Sequence, residues 1–306
     1  MPKHYLTTKE MAQAIDVSPS TLKRWVDLGN IRAPRTAGGH RRIPIEEAIR
    51  FIRTSGLPIR DPNAVGLPEL AEAMKNGPAS VASFPSDQGD SSSMHPVSEA
   101  LKSGDIVKFR GVLLSFYVKD ASVAGLCDGP LGPYYSAKPA SKSPTPGEVA
   151  IRHRGVDLCV QGLNHIRRLQ PKPADDAPRA LGGAAPGDPN TIGSLMAATL
   201  LAYLGWEDTN FGASLPIDAL MEAAQEQPPR LIWLTVSMPV SVNTLSEWCM
   251  ALSTAAAKYD ADVVIIGDDL PPLPEQQPER LHLVSSMAAL EQLASGWYRQ
   301  DAPAIT

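Results

Sequence analysis

The chain has 306 residues, 43% of them apolar, with 28 Lys plus Arg against 33 Asp plus Glu, a net charge of −5 and a pI of about 5.7. This length holds two or three domains with cores of their own, which excludes a short scaffold peptide and a wholly disordered chain. Cys127, Cys159 and Cys249 lie scattered without Cys-x-x-Cys or Cys/His ligand spacing, so a disulfide framework and a zinc site are both excluded and the thiols are expected to pack.

The charge is unevenly spread. Residues 1–60 carry eleven Lys plus Arg against five Asp plus Glu (+6), and the remaining residues carry seventeen against twenty-eight (−11). A basic head therefore precedes an acidic body, and any contact with a polyanion is expected from the head alone. No run of about eighteen apolar residues occurs and the start lacks a basic-then-apolar leader, so neither membrane insertion nor secretion is expected and the chain is placed in the cytoplasm.

In the head, Thr7 and Glu10 have capping-box spacing, which predicts a short helix through Met11, Ala14 and Ile15. Ser18 is placed as an N-cap with Pro19 at the first helical position, and Gly29 stands where the helix should stop, enclosing about three turns. Leu22, Trp25, Val26 and Leu28 supply its apolar stripe, leaving Ser20, Thr21, Lys23, Arg24 and Asp27 to face outward. Two capped helices in this order form a helix-turn-helix whose second helix enters a major groove. Ile31–Thr36 and Arg41–Ile45 are then expected to pair as a two-stranded wing about Gly38 and Gly39, with His40, Arg41 and Arg42 at its tip or edge.

This segment resembles the winged helix-turn-helix of the MerR superfamily over roughly Tyr5 to Ile52, through Leu22-Lys23-Arg24-Trp25 and Gly38-Gly39-His40-Arg41-Arg42. The resemblance implies that Thr21, Lys23 and Arg24 face the groove of double-stranded DNA and that Arg35, His40, Arg41 and Arg42 make wing contacts. It also implies that Trp25 and Tyr5 pack. Such heads act as dimers or higher assemblies on repeated half-sites.

Leu67–Asn76 predicts one short helix, and Gly77–Pro96, with Gly-Pro, Gly-Asp and three consecutive serines, reads as a linker. From Val97 to Leu169 the periodicity is helical. Val107, Phe109, Val112, Leu113, Phe116 and Tyr117 form one apolar face and Val156, Leu158, Cys159, Leu163 and Ile166 another, separated by an exposed loop over Ser136–Pro146. His153 and His165 lie on these helices without an i, i+4 ligand partner and are expected as surface or core residues.

From Arg179 onward strands and helices alternate. Strands are predicted at Ala180–Ala185, Thr209–Phe211, Leu231–Val236, Asp262–Ile266 and Leu281–Val284. Helices are predicted at Thr191–Leu204, from Pro216, at Val242–Tyr259 and after Ser285 or Ser286. Five strands alternating with helices make a doubly wound parallel sheet with a crevice beyond the carboxyl ends of its strands, where Gly182, Gly183, Gly187 and Asp188 fall. Asp188 is expected to cap the following helix. Asp268 and Asp269, adjacent in sequence, point their side chains in different directions, and no catalytic set or metal site assembles.

The order of parts resembles the cobalamin-binding photoreceptor and sensor regulators of the MerR superfamily, with Gly187-Asp188-Pro189-Asn190-Thr191-Ile192-Gly193 where that family carries Gly-Asp-x-His-x-x-Gly. The family's His is the lower axial ligand to cobalt, and Asn190 in its place carries an amide, a poor donor to such a centre. Its corrin-covering Trp and Glu-His pair have no counterpart between Trp25 and Trp206, where residues 151–155 read Ile-Arg-His-Arg-Gly. Its double glycine after the fourth strand is Gly267-Asp268, and Ser237 after the third strand fits the pattern.

The expected fold is multidomain α and α/β, with a winged helix-turn-helix (1–60), a linker with a short helix (61–96), a helical bundle (97–175) and a flavodoxin-like doubly wound sheet (176–306). The expected function is DNA-binding transcription regulation, without enzyme activity and without cofactor. In this reading the crevice of Asp188, Asn190, Gly193, Ser237 and Gly267 is vestigial, and the module serves homo-oligomerisation, as dimer or tetramer, or binding of a regulatory protein. The alternative is a small-molecule or light sensor that still binds cobalamin, base-on or with altered ligation, or another metabolite, and changes its oligomeric state.

Overall fold

Thr7 and Glu10 close the capping box in both directions: Thr7 Oγ1 accepts from Glu10 N at 3.1 Å and Glu10 Oε2 accepts from Thr7 N at 2.8 Å. In the computed structural model, which describes residues 4–75, 95–119, 121–135, 143–273 and 277–300, this cap follows a two-residue strand β1 (Tyr5–Leu6) and starts α1 (Thr8–Ala14). Ser18 caps α2 (Pro19–Asp27) by accepting from Thr21 N at 3.1 Å. The helix ends in a Schellman arrangement, with Gly29 N donating to Val26 O and Asn30 N to Trp25 O, and Gly29 at φ +80°.

Leu22 is fully buried and Trp25 packs on Phe51 with ring centroids 5.2 Å apart, as the stripe requires. Leu28 departs from that expectation. It is the C-cap residue, where the chain leaves the helix, and is 68% exposed.

The wing is smaller than the sequence suggests. Arg35 and Arg41 form one antiparallel bridge, the turn is closed by Gly39 N on Thr36 O, and Gly39 alone of the two glycines takes a positive φ, at +77°. The expected second strand pairs elsewhere. β2 (Ile43–Pro44) runs antiparallel to β1, with Leu6 opposite Ile43 and Tyr5 opposite Pro44. Arg42 N still bonds Pro34 O across the hairpin, but Pro44 has no N–H with which to extend it, and Tyr5 on β1 is 56% exposed rather than packed.

α3 (Ile45–Ser55), which the sequence pattern does not separate from the expected strand, buries Ile49, Phe51 and Ile52 against the head core and stops at Gly56 in the left-handed region. Its Glu47 is 5% exposed, accepting from Arg32 N at 2.8 Å and from Arg50 Nε at 2.8 Å. Arg50 Nη2 reaches Asn30 O at 2.9 Å. One buried carboxylate therefore ties the third helix to the start of the wing. α4 (Pro68–Lys75), α5 (His95–Ser103) and α6 (Ile106–Val118) follow. Gly111 of α6 lies so close to the Glu69 carbonyl of α4 that a Cβ would overlap it. Arg53 of α3 stacks over the Tyr117 ring of α6 at 4.1 Å from its centroid. The linker reading over Gly77–Pro96 lies outside the described residues as far as Met94, and that of the 136–146 loop does so as far as residue 142.

Two compact units divide the chain, residues 1–122 with 164–171 and residues 123–163 with 172–306. The second begins with α7 (Val123–Asp128), α8 (Gly132–Tyr135) and α9 (Pro146–Arg168), whose residues from 164 belong to the first unit. β3 (Arg179–Ala184), α10 (Thr191–Tyr203), β4 (Glu207–Asn210), α11 (Ile217–Glu226), β5 (Leu231–Thr235), α12 (Val242–Ala256), β6 (Asp262–Ile266), β7 (Leu281–Val284) and α13 (Met287–Gln300) complete it.

The five strands are all parallel in the order β4-β3-β5-β6-β7, the flavodoxin-like winding. The second strand covers Glu207–Asn210 rather than Thr209–Phe211, because Glu207 N already bonds Pro178 O and Asn210 stands opposite Gly182. One face of the sheet buries Leu181, Ile232, Leu234, Val263 and Ile265 against α11 and α12. The other receives α10 and α13, and there the Trp233 ring lies over Gly182, where a Cβ would overlap both the ring and the Trp233 carbonyl.

Replacing Glu47 by Ala leaves Arg32 N and the Arg50 guanidinium without their shared acceptor, and we expect destabilisation of about 2–4 kcal/mol in chemical denaturation of the full chain. An unchanged midpoint would show that the head does not depend on this carboxylate.

Candidate nucleic-acid interface and sheet-edge crevice

The helix-turn-helix presents a polar face. Ser20, Lys23 and Arg24 of α2 are exposed and Thr21 is partly so. The hydroxyls of Ser20 and Thr21 are within 2.8 and 2.9 Å of Ser18 Oγ, so both belong to the helix cap while still facing outward. Lys23 and Arg24 are thus the long cations of this face.

At the wing, Arg35 and His40 are exposed, and Arg42 Nη1 donates to Arg41 O at 3.2 Å. Arg41 is not a free cation: its Nη2 is ion-paired and hydrogen-bonded to Asp27 Oδ1, at the last turn of α2. That guanidinium, with lesser help from Lys23 and Arg35, holds the Asp27 carboxyl below the usual carboxylate range. The pair fixes the wing against the helix and offsets the charge that Arg41 offers to a phosphate. Sequence spacing gives no sign of it, because residues 27 and 41 meet only once the wing folds back.

The second candidate site lies at the carboxyl edge of the sheet, and the residues named for it do converge. Asp188, 1% exposed, accepts from Ser237 N at 2.6 Å, from Ser237 Oγ at 2.8 Å and from Asn190 N at 3.0 Å. It therefore joins the loop after β3 to the loop after β5 and does not take the helix-capping role that its place in the sequence suggests. The N-cap of α10 is Asn190, whose Oδ1 accepts from Ile192 N at 3.0 Å. The other half of that amide donates from Nδ2 to the Tyr135 carbonyl at 2.6 Å.

Tyr135 is the residue that sequence reasoning missed. It ends the four-residue α8 and is 6% exposed, with its hydroxyl 3.0 Å from Ile266 O and 3.2 Å from Val236 O, the carbonyls at the ends of β6 and β5. Its ring lies on Gly193, where a Cβ would overlap it. Gly267 in turn lets the chain pass the Val236 carbonyl, at 2.6 Å from where its Cβ would stand. Burial, then the nearby Asp268 and Asp188 carboxylates, push the Tyr135 hydroxyl far above its ordinary pKa, so it is a neutral donor.

Tyr134 makes a parallel use of a glycine, its ring lying on Gly155 of α9. Gly155 and Gly193 each cost a helix roughly 1 kcal/mol relative to Ala, and each makes room for one ring.

Of the remaining candidates, His153 is exposed, and His165 is half-buried with its pKa lowered by that burial. All three cysteines are buried and free, with Cys159 and Cys249 pushed up to about 12 and about 11 by burial, which suits packing rather than chemistry. Among the described residues no group of His, Cys, Asp or Glu is arranged to hold a metal ion, and no helix is long and apolar enough to cross a membrane.

A family model described as a helix-turn-helix domain matches residues 5–55. No curated protein matches the chain. Among solved structures, the chain is similar to the monomethylamine corrinoid protein of Methanosarcina barkeri, at 13% identity over 66% of this chain and 96% of that one, with a TM-score of 0.49. It is also similar to a cobalamin-binding protein from Desulfitobacterium hafniense DCB-2, at 15% identity over 67% and 98% with a TM-score of 0.34. A third similarity is to the methanol:cobalamin methyltransferase complex MtaBC of M. barkeri, at 15% identity over 67% and 79% with a TM-score of 0.36.

The amide of Asn190 serves two bonds, and substitutions separate them. Asn190→Ala removes both cap and clamp and is expected to cost about 1–2 kcal/mol, whereas Asn190→Ser keeps a cap acceptor and should recover roughly half of that. Equal urea midpoints for wild type and Asn190→Ser would show that the bond to Tyr135 contributes nothing.

Proposed function

We propose that this chain is a DNA-binding transcription regulator of the MerR type, and not an enzyme, whose C-terminal module has the architecture of a cobalamin sensor without its cofactor. In this reading the head contacts double-stranded DNA through Ser20, Thr21, Lys23 and Arg24 on α2 and through Arg35, His40, Arg41 and Arg42 on the wing. The module joins copies of the chain, or binds a regulatory protein.

One observation carries the cofactor-free reading. Asp188, Asn190, Gly193, Ser237 and Gly267 are each engaged by the chain itself: Asp188 with Ser237, Asn190 with Tyr135, Gly193 beneath the Tyr135 ring and Gly267 against Val236. A corrin held from this edge would need a nitrogen donor where Asn190 offers an amide already bonded on both sides, and open space where Tyr135 stands. These residues do not fit cobalamin.

The charge division supports the assignment of DNA to the head. A helix and wing that neutralise about four phosphates bind weakly as a monomer, which favours paired heads on repeated half-sites.

The test of the module is an absorbance spectrum after incubation with adenosylcobalamin or methylcobalamin and desalting, beside size-exclusion traces before and after green light. A colourless protein of unchanged size is expected. Retained corrin absorbance with a light-dependent change of size would replace this reading by that of a light sensor with altered ligation.

For the head, Arg24→Ala should weaken binding mainly to the specific site, whereas Arg35→Ala with Arg42→Ala should weaken binding to every duplex and flatten the salt dependence by about 0.9 in log–log slope for each phosphate no longer neutralised. Asp27→Asn releases Arg41 and removes a negative charge, so it should tighten binding to random duplex. Equal effects of the helix and wing variants on specific and random DNA would refute the division of roles.

A further inference from the structure

We infer that the carboxyl-edge crevice of the sheet is a phenol-binding site that the chain occupies itself, with Tyr135 as its internal ligand. Three features of the geometry define a recognition site rather than a side chain that happens to be buried.

The ring rests where Gly193 lacks a Cβ, so the space is shaped for a planar group and refuses even a methyl on the helix beneath it. The hydroxyl sits between two main-chain carbonyls, 3.0 Å from Ile266 O and 3.2 Å from Val236 O, and shares one proton between them. The residue carrying the ring is itself held, since Asn190 Nδ2 grips its carbonyl at 2.6 Å. The chemical class that this site takes follows: a neutral aromatic with one hydroxyl donor. An anion is refused, because the acceptors are carbonyls in a buried setting and the Asp268 and Asp188 carboxylates lie close by.

The segment that delivers the ring is fastened at both ends. Asp128 Oδ1 and Oδ2 accept from Met287 N at 2.7 Å and Ala288 N at 2.8 Å, so the carboxylate caps α13 from outside that helix. Leu131 between the two ends is fully buried. Residues 128–135 thus form a strap from the start of α13 to the ends of β5 and β6, and withdrawing the ring would expose two carbonyls and the Gly193 surface together.

This inference rests on the reading of the crevice as closed to a corrin, and the experiment separates the two. Tyr135→Ala is expected to melt on the order of 10 °C below wild type, since a buried ring and its hydroxyl bond are removed. p-Cresol at ten times its Kd should raise the melting temperature of that variant by about 3–5 °C, toluene by less and benzoate not at all. Wild type, already filled, should not respond.

If Tyr135→Ala is recovered unfolded, its refolding from urea is followed instead, and recovery with p-cresol but not with benzoate is the expected result. Tyr135→Phe, which keeps the ring, should melt between wild type and the Ala variant. In the Ala background Gly193→Ala should raise the melting temperature by about 2–4 °C, since a helical glycine is replaced with nothing of Tyr135 left to clash, whereas in the Tyr135 background it should be strongly destabilising.

Absence of a p-cresol response in Tyr135→Ala, or an equal response in wild type, overturns the inference. A wild-type protein that retains corrin colour refutes the cofactor-free reading of the module. A colourless wild type with an unresponsive Ala variant refutes the internal ligand alone.

Discussion

A parallel sheet ends in carbonyl groups that open into the gap where its helices part, and these groups need a donor. At the end of β6 the Ile266 carbonyl accepts from Val236 N, and the Tyr135 hydroxyl donates to it from the crevice and to the Val236 carbonyl at the end of β5; the rest of the module is arranged around that hydroxyl. Gly193 leaves room for the ring, Asn190 holds the residue from its backbone, and Asp188 draws the loop after β5 toward the loop after β3 through Ser237.

The head is held differently, since most of its elements are set by local chemistry. Two N-caps and one Schellman stop define its first two helices within 23 residues, Thr7 to Gly29. What orients the wing is polar and non-local: Glu47 accepts from the backbone of Arg32 near its start, and Asp27 holds Arg41 near its end. Exposed cations on the helix and the wing include Lys23, Arg24, Arg32 and Arg35, which is how a surface that follows a phosphate backbone is built.

The two parts divide the work as their charges do. A net +6 in residues 1–60 and −11 beyond keep the body away from a polyanion while the head approaches it. The carboxylates near the crevice, Asp268 and Asp188, act on a smaller scale by adding to the burial that keeps the internal phenol neutral.

Much of this was legible in sequence where the information is local. The strands Asp262–Ile266 and Leu281–Val284, the Ser18 cap and the stop at Gly29 are read from residues no more than a few positions apart, and the structure places them as read. The signals that misled were those with a non-local competitor. Ile43 and Pro44 pair with β1 and not with the wing, Leu28 sits at the helix exit, and Asp188 bonds Ser237 in place of the helix start. α3 was overlooked because its apolar residues ran on from the expected strand. By itself the sequence determined the Thr7 and Ser18 caps and the alternation of strands and helices. Only the tertiary structure decided that Tyr135, 55 residues before Asn190, fills the crevice, because a pairing of that separation leaves no period or spacing in the chain and exists only once the sheet has brought the ends of β5 and β6 together.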